Sequence, residues 1–155
     1  MKIVVDSNII FSAILNSSGK IGHLIINGSK YFDFYTVGLL KEEIIRHQGK
    51  IIKITGFTQE QFKSTFHLFA DRIKFADDIL LSDKDIKDAY SLVSDIDADD
   101  TMFLSLANHL STYLWTGDKR LINGLRNKGF KRILTTDELY DLFLHQQIKH
   151  KRSKK

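Results

Sequence analysis

Five short apolar, β-prone runs, each followed by a stretch of helical periodicity, restrict this chain to very few architectures. The runs are KIVVD at 2–6, FDFYT at 32–36, RIKFA at 72–76, STYLW at 111–115 and RILTT at 132–136. The first is an unbroken apolar strand, the pattern of a parallel strand covered on both faces. Strand alternating with helix gives a parallel α/β sheet. The expected fold is therefore a three-layer α/β/α sandwich around a mostly parallel sheet of four to five strands. At 155 residues, one domain is expected, spanning 1–148.

Between the strands, apolar spacing and punctuation place the helices. Ser7 or Asn8 is expected to cap a helix over 9–15, and a second helix over 21–27 should end at Gly28 as its C′ residue. One continuous helix is expected from Leu39 to Ile52. The segment 57–73 places Phe62, Phe66 and Phe69 on one stripe, a core contact rather than a ligand box. Further helices are expected over 83–94, 98–110 and 121–129, and a last one capped by Thr136 or Asp137 and reaching about Lys149.

Charge is distributed unevenly. The net charge is +4, but the last seven residues, KHKRSKK, carry five of the Lys and Arg, so the body is near 4 − 5 = −1. The segment 149–155 is expected to be a disordered basic tail, either a solvated terminus or an arm that contacts RNA. Nine of the nineteen acids lie between Asp77 and Asp100. With no cysteine, disulfides and thiolate metal sites are excluded. No signal-peptide pattern and no bilayer-length apolar run is present, so a cytoplasmic protein without a membrane partner is expected.

The chemistry resides in carboxylates. In an open parallel sheet, groups beyond the carboxyl ends of the strands face one crevice. Asp6 ends the first strand, Asp118 follows the fourth behind a glycine, and Asp100 opens a helix feeding that strand. A fourth acid is expected from the adjacent pair Glu42 and Glu43. Each taken singly is also what a turn, a cap or a surface helix would use. Gathered together, they repel unless a cation neutralises them. Mg²⁺ or Mn²⁺ suits an all-oxygen donor set and serves phosphodiester cleavage without a covalent nucleophile.

The segments VVDSNII, LLKEEI, ADDTMFLSLA and LWTGDKRL resemble the PIN-domain family of nucleases, which includes VapC-type toxins, and the resemblance runs from residue 2 to about 145. It implies cleavage of single-stranded RNA with Mg²⁺ or Mn²⁺, and a toxin–antitoxin pairing in which an antitoxin is the partner. By the same resemblance Asp6, Asp100 and Asp118 hold metal, and Glu43, preferred to Glu42 because it precedes an aliphatic residue, completes the catalytic set. Asn8, Thr116 and Asp99 would support the site, with Ala107 the small residue seven positions after Asp100. Lys119 and Arg120 would contact the RNA backbone, and a homodimer is expected. His47 is either an outer partner of Glu43 or solvent-facing. Two rival readings are a PIN-like RNA-binding or assembly subunit that no longer cuts, and a phosphatase or phosphoryl-receiver α/β domain, the latter weakened by the single carboxylate in DSN.

Overall fold

The computed structural model describes residues 1–154 and contains one five-stranded sheet, parallel throughout, in the order β3-β2-β1-β4-β5. The strands are β1 (Lys2–Val5), β2 (Asp33–Val37), β3 (Ile73–Ala76), β4 (Tyr113–Trp115) and β5 (Ile133–Leu134). β1 is central, with Ile3 opposite Phe34 on one side and Tyr113 on the other. Ile3, Val4 and Val5 are wholly buried, which is why this run is apolar without alternation.

Nine α-helices are present among the described residues: α1 (Ser7–Leu15), α2 (Lys20–Gly28), α3 (Leu39–Arg46), α4 (Gln48–Thr55), α5 (Gln59–Ala70), α6 (Asp83–Val93), α7 (Thr101–His109), α8 (Lys119–Asn127) and α9 (Thr136–Ser153). Right-handed crossovers put α1 to α5 on one face, since the chain steps outward from β1 through β2 to β3. The return from β3 to β4 reverses the direction and puts α6, α7 and α8 on the other face. Packing agrees: α1 lies against α2, α3, α4 and α5, whereas α7 lies against α6, β1, β2 and β4. α9 crosses back to α2, where Phe143 meets His23 and Tyr31.

Several boundaries differ from those expected. The helix over 39–52 is broken at His47 into α3 and α4. The break keeps both Ile44 and Ile51 buried, and it falls two residues before Gly49, a weak helix former. Gly28 is the last residue of α2 rather than a left-handed cap; that role is taken by Gly56 after α4, at φ 73°. The first helix begins at Ser7, not Ile9, with Asp6 in the N-cap position. The last helix is capped by Thr135, whose hydroxyl accepts from Glu138 N–H at 3.1 Å while Glu138 accepts from Thr135 N–H at 2.9 Å. Thr136 instead accepts from Trp115 Nε1–H at 3.1 Å, and Asp137 pairs with Lys20 at 2.8 Å. The basic segment is not a separate disordered tail: α9 runs through Ser153, and Lys155 lies outside the described residues. A run of helix-forming Gln, Lys and Arg without glycine or proline allows that extension.

This topology produces one switch point. From β1 the chain turns to one face of the sheet, and from the neighbouring β4 it turns to the other. The crevice between their carboxyl ends is left open.

Candidate active site

Asp6 leaves β1 directly into α1. Its backbone N–H donates to Trp115 O of β4 at 3.1 Å, which ties the two strand ends together. An aspartate in an N-cap position normally accepts from the first free amides of its helix. Asp6 makes no such bond. Its carboxylate turns toward β4 and accepts from Thr116 Oγ1–H at 2.7 Å and from Asn8 Nδ2–H at 3.3 Å.

Thr116 is the hub. Buried completely, its hydroxyl donates to Asp6 and accepts from Asn8 Nδ2–H at 3.1 Å and Asp118 N–H at 3.1 Å. One donor and two lone pairs are thus all used. Asn8 closes the bracket, its Oδ1 accepting from Gly117 N–H at 3.1 Å. Asn8 and Thr116 therefore hold Asp6 in place and set the path of the chain from β4 to Asp118.

Asp100 comes from the opposite face. It ends a 3-10 turn (Ala98–Asp100) whose Asp97 side chain accepts from Asp99 N–H at 3.0 Å. α7 follows at once and is buried almost all round, from Thr101 through Ala107, so Asp100 is carried on a rigid element. Asp100 also occupies an N-cap position and makes no side-chain cap bond. Its Oδ2 is buried without a hydrogen-bond partner among the described residues. A buried, unpaired carboxylate oxygen is costly, and such an atom in a native fold calls for an explanation.

Asp118 differs from both. Its Oδ1 caps α8, accepting from Arg120 N–H at 3.0 Å and Leu121 N–H at 3.2 Å. Glu43, on α3, faces the same space; Glu42 is exposed and does not. One helical step of about 100° separates the two.

The result is a cleft of about 250 Å³ bordered by Asp6, Glu43, Asp97, Asp99, Asp100 and Asp118, with Ser7, Asn8, Arg46 and His47. Its electrostatics are adverse. Burial first of all, and then the charges of Glu43 and Asp118, push Asp6 up to about 6, against the lowering effect of the Thr116 and Ser7 hydrogen bonds. Burial, then Asp6, Asp97, Asp118 and Glu43, push Asp100 up to about 8. The N-termini of α1, α7 and α8 meet here and bring partial positive charge, but not enough to cancel the repulsion.

An all-oxygen donor set with an orphaned, buried carboxylate oxygen fits a hard divalent cation. The expected crowding of oxygens is nonetheless looser than anticipated: among the described residues no three His, Asp or Glu groups form a ready ligand cage. Arg46 and Asp97 line the cleft and were not anticipated. The alternating acids of DIDADD are the only sequence sign of Asp97. Lys119 and Arg120 are exposed on the first turn of α8 and do not border the cleft. Arg46 borders it instead, with the His47 imidazole beside it.

Comparison with known proteins gives a consistent result. A comparison with the sequences of curated proteins finds no match. Among solved structures, the chain is similar to the crystal structure of VapBC2 from Rickettsia felis, bound to a DNA fragment from their promoter. The TM-score is 0.62 at 17% identity, over 87% of this chain and 97% of that one. It is also similar to a PilT N-terminus domain protein from the hyperthermophilic archaeon Sulfolobus solfataricus P2, with a TM-score of 0.54 at 18% identity over 93% and 94% of the two chains. These likenesses concern the fold. The PIN domain family model matches residues 4–139, from inside β1 to the start of α9, and so takes in the second half of β1, the other four strands and every acid of the cleft. The chain belongs to the PIN-domain family.

Proposed function

We propose that the protein is a divalent-metal-dependent endoribonuclease that cuts single-stranded RNA. One observation carries this reading: acids from four separate segments border a single cleft, and one of them, Asp100, keeps a buried oxygen with no partner among the described residues. A structural role explains Asp118, which caps a helix, but not Asp6 or Asp100, which forgo that role. Membership of the PIN-domain family supports the same conclusion.

In this reading Asp6, Asp100 and Asp118 hold Mg²⁺ or Mn²⁺, and Glu43 completes the acidic ring and orients the attacking water. When bound, such an ion supplies charge neutralisation and Lewis-acid activation for phosphodiester hydrolysis. Thr116 and Asn8 keep Asp6 turned into the cleft and away from the amides of α1. Asp99 shapes the turn that delivers Asp100. The convergent helix N-termini favour an anionic phosphate entering the cleft, and Lys119 and Arg120 lie outside it as contacts for more distant parts of the strand. The cut leaves a 5′-phosphate and a 3′-hydroxyl.

The protein acts, in this proposal, as the toxin of a toxin–antitoxin pair in the cytoplasm, held in check by an antitoxin and able to pair with a second copy of itself. The similarity to VapBC2 supports the pairing with an antitoxin. The decisive experiment incubates the purified protein with a panel of single-stranded RNAs in Mn²⁺ or in EDTA, beside Asp6→Asn and Asp100→Asn. Cleavage that requires metal and disappears in both variants is the expected result. RNA bound equally by all three proteins and cut by none would instead indicate a binding subunit.

A further inference from the structure

A second hollow of about 220 Å³ adjoins the acidic cleft and shares Ser7, Asn8, Glu43 and His47 with it. The residues that it adds are of another kind: Phe11, Ile44 and Lys50. We infer that this hollow is the subsite for an unpaired nucleobase of the RNA strand, next to the phosphate in the acidic cleft, with Phe11 as its stacking platform. The inference rests on the proposed nuclease reading and adds to it the place where the strand is gripped.

Three features favour a base over another occupant. The first is continuity: Glu43, Ser7 and Asn8 border both spaces, so a nucleotide whose phosphate lies in the acidic cleft has its sugar and base beside the hollow. The second is the wall chemistry. Phe11 sits one helical turn beyond Ser7 and Asn8 on α1, so it faces the same way as the residues bordering the cleft. Its ring stands perpendicular to the His47 imidazole at 6.2 Å, an edge contact that leaves at least one ring with faces not covered by the other. Bases stack on aromatic rings and on histidine in single-strand recognition. Buried Ile44 adds apolar surface to the hollow. The third is charge. Lys50 borders the hollow and Arg46 the cleft, and neither is engaged in an ion pair with an acid among the described residues. Cations without acidic partners beside an aromatic wall suit the phosphates flanking a stacked base.

The test compares the wild-type protein with Phe11→Leu, which keeps an apolar side chain of similar size, and with Phe11→Trp, which keeps the stacking surface. Binding of a fluorescein-labelled single-stranded RNA is measured by anisotropy, beside a series of the same RNA with one abasic site moved along the strand. Phe11→Leu is expected to weaken binding of the intact RNA about 10- to 100-fold, the contribution of one stacked base. One abasic position should weaken the wild type by a similar factor, and at that position the Leu variant should lose nothing more. Phe11→Trp should bind at least as tightly as the wild type. Thermal unfolding of the metal-free proteins identifies any variant that fails to fold. If the wild type binds and cuts RNA but Phe11→Leu and every abasic site are without effect, the subsite is overturned while the nuclease reading stands. If the wild type neither binds nor cuts, both fall.

Discussion

Asp100→Asn offers the sharpest test of the electrostatic argument, because it predicts that removing a conspicuous acid makes the metal-free protein more stable. In the folded chain burial and neighbouring acids raise Asp100 from 3.8 to about 8. The folded state therefore keeps a proton that the unfolded state releases. With its folded value raised, this carboxyl destabilises the fold progressively as pH rises from 3.8 toward 8; below 3.8 both states are protonated and nothing is lost. The loss grows by about 1.4 kcal/mol per pH unit in that window. Asparagine is neutral throughout and does not incur it. Relative to wild type, Asp100→Asn should gain about 1–2 kcal/mol at pH 5 and about 4 kcal/mol at pH 7. In a domain of this size, the gain at pH 7 corresponds to a rise in Tm of about 8–16 °C. Urea unfolding in EDTA at pH 5, 6 and 7 measures it. An advantage that does not grow with pH, or a variant less stable than wild type at pH 7, would refute the reasoning. Saturating Mn²⁺ should narrow or reverse the order, since an ion that binds only the folded wild type adds about 2.7 kcal/mol at a hundred times its Kd.

Asp118 serves two ends that substitution can separate. Asp118→Asn keeps an N-cap for α8 and should leave Tm nearly unchanged while abolishing Mn²⁺-dependent cleavage, whereas Asp118→Ala should also cost about 1 kcal/mol by urea unfolding. Thr116→Val preserves shape but leaves Asp6, Asn8 and the Asp118 amide each short of one partner; unfolding should show a loss of about 2–3 kcal/mol, with reduced cleavage. Glu43→Gln should suppress RNA cleavage at unchanged Tm, and Glu42→Gln should leave both alone, since only Glu43 borders the cleft. Trp115, wholly buried beside Phe34 at 5.8 Å, should cost about 3–5 kcal/mol of stability on change to alanine, read by the same unfolding assay.

Local chemistry made much of this molecule legible. The short β-branched run Ile3-Val4-Val5 reads as a strand covered on both sides, and the alternation with amphipathic segments leaves a parallel sheet as the economical arrangement. Phe62, Phe66 and Phe69 reveal the buried side of α5 by spacing alone, because one element's periodicity records which face meets the core. The strand-ending position of Asp6 follows from its neighbours in the same way. The same reading of strand ends and helix starts named Asp100, Asp118 and the Glu42–Glu43 pair as its companions, and only the choice of Glu43 over Glu42 came from the resemblance.

What no stretch of sequence contained was the relation between segments. The switch point exists because β1 and β4 lie side by side, 110 residues apart in the chain between Asp6 and Thr116, and only that pairing turns a threonine hydroxyl into the anchor of a carboxylate. Helix caps show the same limit: Asp6, Asp100 and Asp118 all hold N-cap positions, yet only Asp118 caps, a choice made by what stands opposite each side chain. The break at His47 and the place of Asp97 and Arg46 at the cleft were likewise decided by packing, whereas α9 continues through Ser153, largely exposed, on its own helix propensity. A chain's pattern encodes which surfaces seek burial. Electrostatic strain such as that at Asp100 arises from distances between groups, and those distances come into being only when the layers close.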